Sequence, residues 1–193
     1  MHKKLDAITT AVSAVLASWN VTKTVAEKPI CILTGGYPGS GKTELLRELQ
    51  KRFAFVIISG DVIRSLLLEK NAWEDNELSN LVDQVTLELV VTACKKHLSL
   101  AIDREAQPLQ LLEIREFLEE HGFLQYKIIT LLCQASEATL LKRAGSTTKA
   151  SGLSAKLAGQ YDPKQYDIVI STDTMNAKKA ATTVLHMLTT GLS

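Results

Sequence analysis

The chain has 193 residues, enough for one α/β domain with a full core, and no shift in composition along it marks a second. Its 22 basic and 21 acidic residues leave a formal net charge of +1, so no overall field draws in an anionic membrane surface or nucleic acid, which would need a local patch. Three cysteines, Cys31, Cys94 and Cys133, are odd in number and lack C-x-x-C spacing, which argues against a disulfide framework and a zinc site and for reduced core thiols.

Leu5, Ile8, Val12, Leu16 and Trp19 recur at three- and four-residue intervals, predicting an amphipathic helix over 3–18 that packs on the outside of a sheet. Residues 20–28 read as a polar connector. His2-Lys3-Lys4 ahead of Ala7 to Ala17 imitates a secretory leader, but Asp6, Thr9, Thr10 and Ser13 dilute the apolar run. A cytoplasmic protein is the expectation, and no other run approaches the length of a membrane span.

Ile30 to Leu33 is a buried strand run, followed by Gly36-Tyr37-Pro38-Gly39-Ser40-Gly41-Lys42-Thr43, which satisfies G-x-x-x-x-G-K-[ST] in full. Glycines at 36, 39 and 41 permit dihedrals closed to other residues, so that successive N–H groups turn inward around a polyphosphate. Lys42 supplies a point charge for the β- and γ-phosphates, Thr43 a hydroxyl for Mg²⁺, and the helix beginning near Lys42 its positive dipole end. A plain turn between strand and helix is the competing explanation. The strand before and the apolar helical spacing of Leu45, Leu46, Leu49 and Phe53 after favour the phosphate cradle.

Phe55 to Ser59 reads as a second strand and residues 61–68 as a helix with Asp61 at its N-cap. Ala72 to Asn80 is polar and reads as a loop or broken helix, in which Trp73 is first a core wedge and second a pocket wall. Leu81 to His97 is a helix carrying Leu81, Val85, Leu89 and Ala93, and Leu98 to Asp103 a third strand. Pro108 opens a helix with Leu109, Leu112, Phe117 and Leu118 on its buried side, and Gly122 stops it. Lys127 to Cys133 is the fourth strand, and Ser136 caps the helix after it. Gly145 to Gly152 is too small and polar to bury a core and is expected to be mobile; residues 153–158 suit a short helix. Tyr161-Asp162-Pro163 is a turn, Tyr166 to Ile170 the fifth strand, and the last helix runs from about Met175 to Leu188.

Strands alternating with helices imply a three-layer α/β fold, a five-stranded parallel sheet with helices on both faces. Ligands bind beyond the carboxyl ends of such strands, where Gly36 to Thr43, Asp61 and Asp103 all fall.

A strand, G-x-x-G-x-G-K-T, and a second strand ending in Ser59-Gly60-Asp61-x-x-Arg64 resemble the P-loop kinases of the polynucleotide-kinase, zeta-toxin and chloramphenicol-phosphotransferase type. The resemblance implies a P-loop NTPase fold over roughly residues 30 to 190, after an N-terminal helix and connector over 1–28. It implies that Asp61 accepts the proton of an attacking hydroxyl and that Arg64 binds the acceptor or its phosphate. The implied cofactors are ATP and Mg²⁺.

The catalytic candidates are therefore Lys42, Asp61, Arg64 and Arg143, and the metal candidates Thr43, Asp61 and Asp103. Asp103 stands where a Walker-B-type acid would be, with Arg104 beside it, and spacing does not say which aspartate is the base. The family's lid usually brings arginines in an R-x-x-x-R-like pattern. Here only Lys142, Arg143, Lys149 and Lys156 are on offer, and lysine replaces the charge but not the bidentate fork.

The leading expectation is a kinase acting on a hydroxyl of a small molecule or a nucleotide or nucleic-acid end. The alternatives are a nucleotide-binding regulatory module that has lost turnover and a P-loop ATPase. No N-K-x-D-like motif supports a GTPase, and the chain lacks room for the helical subdomain of an assembly-type ATPase. The acceptor's pocket is expected from the helix after Asp61, the Trp73 loop and the segment beyond Asp103.

Overall fold

The computed structural model describes residues 2–19, 29–69, 71–104, 108–144 and 161–190. Its elements in chain order are α1 (His2–Ser18), β1 (Ile30–Gly35), α2 (Lys42–Gln50), β2 (Val56–Ser59), α3 (Gly60–Leu68) and α4 (Asp75–Lys95). There follow β3 (Leu100–Asp103), α5 (Pro108–Glu120), β4 (Lys127–Gln134), α6 (Glu137–Ala144), a 3₁₀ turn (Pro163–Gln165), β5 (Ile168–Ser171) and α7 (Ala177–Thr190). The expected mobile segment and short helix over 145–158 lie outside the described residues, as do Lys149 and Lys156.

The five strands form one parallel sheet in the order β2-β3-β1-β4-β5, as the alternation of elements predicts. Central β1 is buried along its whole length because helices cover both faces. Its residues divide with period two. Cys31 and Leu33 face a core shared with α1, α3, α4 and α5, while Ile30 and Ile32 face one shared with α2 and α7. Cys31, Cys94 and Cys133 are free and buried in these cores; desolvation pushes the Cys94 thiol up to about 11 and Cys133 up to about 12, so they act as small hydrophobes.

Three expectations shift. α1 packs against α3 and α4 rather than directly on the sheet, and it does so through Ile8, Ala11 and Val15, with Leu5 left exposed. Val12, Leu16 and Trp19 of the expected stripe pack against the same core as partly buried side chains. α4 begins at Asp75, so most of the stretch expected as loop is helix. Asp75 and Glu77 suit the first turn by the macrodipole, and its polar residues face solvent while Leu78 and Leu81 are buried. Trp73 is a core wedge: it packs against the α3 and α4 side and donates from Nε1 to the Leu67 carbonyl at 2.9 Å.

Parallel register brings the carboxyl ends of β1, β2 and β3 to one edge, with Ser59 paired to Asp103. No helix among the described residues is long and apolar enough to cross a membrane.

Candidate active site

Gly36, Gly39 and Gly41 have φ of 125°, 78° and 92°, so all three conformations the motif asks for are present. Gly36 is the most constrained, since a Cβ there would lie 2.3 Å from the Cys133 carbonyl oxygen and 2.9 Å from Ser40 Oγ. Lys42 is buried, its Nζ donating to the carbonyls of Gly36 at 2.7 Å and Tyr37 at 3.0 Å. α2 begins directly behind the loop, with Gly41 as N-cap and no side-chain cap, so the helix's first N–H groups have no capping oxygen.

Across the loop, Thr43 donates its hydroxyl to Asp103 Oδ2 at 2.8 Å. Asp103 is only 6% exposed, and burial raises its carboxyl above the ordinary range; the Thr43 hydrogen bond and the Lys42 charge oppose that rise, and Asp61 adds to it. Among the described residues there is no cluster of three or more His, Cys, Asp or Glu that could hold a metal. A threonine hydroxyl beside one carboxylate nevertheless fits Mg²⁺, which keeps several waters and takes its other ligands from substrate phosphates.

Asp61 sits one position inside α3, whose N-cap is Ser59, so the expected capping role is not the observed one. Gly60 is already helical, and the exposed Asp61 lines the cleft, its carboxylate without a hydrogen bond or ion pair among the described residues. Arg64 follows three residues on, on the same side, and among the described residues no ion pair joins the two. Asp61, Arg64, Lys42, Thr43 and Asp103 all line one cavity of about 650 Å³, together with Val82 of α4 and Arg104. Trp73 does not line it.

Arg143, at the end of α6, turns to the loop itself. Its Nη1 donates to the Gly39 carbonyl at 2.9 Å and Thr172 Oγ1 at 3.1 Å, and its Nη2 to the Thr172 carbonyl at 2.9 Å. Thr172 is a loop contact that sequence reasoning missed: its hydroxyl lies 2.8 Å from the Ser40 carbonyl and 3.1 Å from that of Gln134. Nothing local flags a threonine just past β5. The ion pair between Arg104 and Asp83 of α4, at 2.8 Å, was equally invisible. Lys142 is exposed on α6.

A family model described as an AAA domain (AAA_18) matches residues 32–152, which is most of the chain. The chain belongs to this AAA domain family. Solved structures similar to this AAA domain are kinase-like in fold. The Mycobacterium tuberculosis APS kinase CysC, in complex with AMPPNP and APS, aligns over 85% of this chain and 99% of its own, at 12% identity and TM-score 0.63. The PezAT chromosomal toxin–antitoxin system of Streptococcus pneumoniae aligns over 95% of this chain and 87% of its own, at 19% and 0.62. The Deinococcus radiodurans tunicamycin resistance protein aligns over 86% and 97%, at 13% and 0.62. No curated protein matches the sequence. At these identities the likeness concerns the fold, which is the three-layer α/β fold of the P-loop kinases.

Proposed function

We propose that this AAA domain is an ATP- and Mg²⁺-dependent kinase that moves the γ-phosphate to a hydroxyl of a small molecule or of a nucleotide or nucleic-acid end. The observation that carries the reading is the Thr43–Asp103 hydrogen bond at 2.8 Å in the same cavity as Asp61. It supports a division of labour between two aspartates that spacing alone left equivalent. Asp103, buried against Thr43, belongs to the metal side, and Asp61, exposed at the start of α3, is the base.

Residues 36–43 hold the triphosphate through backbone N–H groups, and Lys42 meets its β- and γ-phosphates. Mg²⁺, when bound by Thr43 and Asp103, neutralises charge on the phosphate oxygens. Asp61 takes the proton of the acceptor hydroxyl, whose oxygen forms the new bond to the γ-phosphorus as the bond to the β–γ bridging oxygen breaks, and ADP leaves. Arg64 orients the acceptor. Arg143 acts as a brace that fixes the loop to the end of β5. The catalytic domain spans 29–193, with residues 1–28 an addition outside the nucleotide unit, and the cytoplasm supplies the ATP.

The bonding of Arg143 also favours a second reading. Its guanidinium is committed to Gly39 and Thr172, and no other arginine stands on α6, which suits a nucleotide-binding regulatory module or a slow ATPase. A transfer assay with labelled ATP against nucleosides, sugars, antibiotics and 5′-hydroxyl oligonucleotides decides between them. Lys42→Ala is expected to weaken both ATP binding and transfer. Asp61→Asn is expected to lower kcat by about 10²–10⁴ with ATP affinity within about twofold of the parent. Parent-like transfer by Asp61→Asn removes it as base, and ATP binding without turnover of any acceptor favours the second reading.

A further inference from the structure

Backbone N–H groups line the concave side of a phosphate loop only if each peptide plane is turned the right way, and glycines, free to rotate, do not hold their planes by themselves. In this molecule two of those planes are held from outside the loop. The Gly39 carbonyl accepts from Arg143 Nη1 at 2.9 Å, and the Ser40 N–H of the same peptide donates to the Tyr37 carbonyl at 3.0 Å. The next peptide, Ser40–Gly41, is held at its carbonyl alone, 2.8 Å from Thr172 Oγ1. Its N–H, that of Gly41, has no acceptor among the described residues.

Thr172 has one hydroxyl proton and two carbonyls in reach, that of Ser40 at 2.8 Å and that of Gln134 at 3.1 Å. The Gln134 carbonyl already accepts the Thr172 N–H at 2.7 Å, so the hydroxyl proton goes to Ser40. A lone pair of the same hydroxyl accepts from Arg143 Nη1 at 3.1 Å, and that charged donor polarises the hydroxyl and strengthens its donation. The Thr172 methyl also lies against the loop, 3.5 Å from a Cβ built at Gly41. Among the described residues no peptide bond is cis, so the carbonyl and the N–H of the Ser40–Gly41 unit point in opposite directions. Fixing the Ser40 carbonyl on Thr172 therefore turns the Gly41 N–H away from the end of β5 and toward the cleft that Gly41 lines.

We infer that Thr172 is a positioning residue for phosphate binding: its hydroxyl holds the Ser40–Gly41 peptide so that the Gly41 N–H is aimed at a phosphate oxygen before a nucleotide arrives. A backbone N–H on a phosphate oxygen is a charge-assisted hydrogen bond, and its strength falls with misalignment. The inference rests on the reading of residues 36–43 as a polyphosphate site. It extends that site to a side chain just past β5 that touches no ligand itself.

The competing explanation is a purely structural tie between the ends of β4 and β5, and the test separates the two. The full chain is titrated calorimetrically with a non-hydrolysable ATP analogue in the presence of Mg²⁺. Thr172→Val removes the hydroxyl and keeps the shape, and about a tenfold loss of affinity is expected, the scale of one misaimed charge-assisted hydrogen bond. Thr172→Ser keeps the hydroxyl and is expected to bind as the parent does. Should the valine variant not fold, Thr172→Ala set against Thr172→Ser removes the same hydroxyl with the methyl absent from both. In protein labelled with ¹⁵N-glycine, the analogue is expected to move the Gly41 amide downfield in the parent and the serine variant, and by less in the hydroxyl-free variant at saturation. Parent-like affinity without the hydroxyl overturns the inference, including the case in which only the melting temperature falls. A serine variant as weak as the hydroxyl-free one overturns it too, because the methyl contact with Gly41 would then be the cause. So does a full Gly41 shift without the hydroxyl. If the parent chain does not bind the analogue, the polyphosphate reading of the loop fails first and the inference falls with it.

Discussion

The loop end of the cleft is moulded from backbone, and the far end is made of side-chain tips. At the loop end three glycines at positive φ set the curve, Lys42 grips the carbonyls of Gly36 and Tyr37, and Arg143 grips that of Gly39. At the far end Asp61 is exposed, Arg64 is half-buried, and Arg104 is held at a single corner by Asp83. A backbone mould leaves little room for exchange, because each new atom meets another part of the main chain. Tips projecting from helices can be exchanged with little strain. On the proposed kinase reading, the loop end selects what is bound and broken, and the far end selects what receives it.

The sharpest way to break this contrast is Gly36→Ala. The added methyl would need a φ of 125° and would lie 2.3 Å from the Cys133 carbonyl oxygen, which belongs to β4 and cannot move aside. A loss on the order of 3 kcal/mol of stability is expected, together with loss of ATP binding. Thermal unfolding with and without ATP measures both, and a variant that melts like the parent would sink the mould argument.

Next comes the brace. Arg143→Ala removes three donor contacts to Gly39 and Thr172, and about a tenfold loss of ATP affinity is expected with a small change in melting temperature. Arg143→Lys should not restore the affinity, since one ammonium cannot span the carbonyls of Gly39 and Thr172 as the fork does. Recovery by lysine would mean that charge, not the brace, is what matters.

The smallest expected effect lies at Asp103. Burial raises its folded carboxyl above the unfolded value, so its contribution to stability is present at acid pH and is lost as pH rises through the raised value. At neutral pH without Mg²⁺ a partly desolvated charge remains. Asp103→Asn, which can still accept from Thr43, is expected to melt higher there, by on the order of 1 kcal/mol, and to show no gain at acid pH. Its Mg²⁺-dependent transfer should fall. Equal melting of the two proteins at neutral pH would contradict the sign.

The legible parts of this protein were those with a local signature. All five strands and the loop were readable, because apolar runs, period-two alternation and glycine spacing act within a few residues of one another. The start of α4 was not, since Asp75 to Asn80 holds a single buried apolar side chain, Leu78, and one residue in six shows no period; it is helical as the continuation of the longer α4. The position of Asp61 was misread by two residues relative to the cap: Ser59 is the N-cap and Gly60 the first helical residue, so Asp61 falls in the first turn of α3.

By itself, the sequence determined the order of elements, the parallel sheet they imply and the phosphate loop, all of which follow from short-range sterics and periodicity. Tertiary structure decided which aspartate meets Thr43, where Arg143 points and what holds Arg104. Those pairings join residues 60 apart for Thr43 and Asp103 and 104 apart for Arg143 and Gly39. They depend on which strands are neighbours and in what register, and no local pattern encodes that.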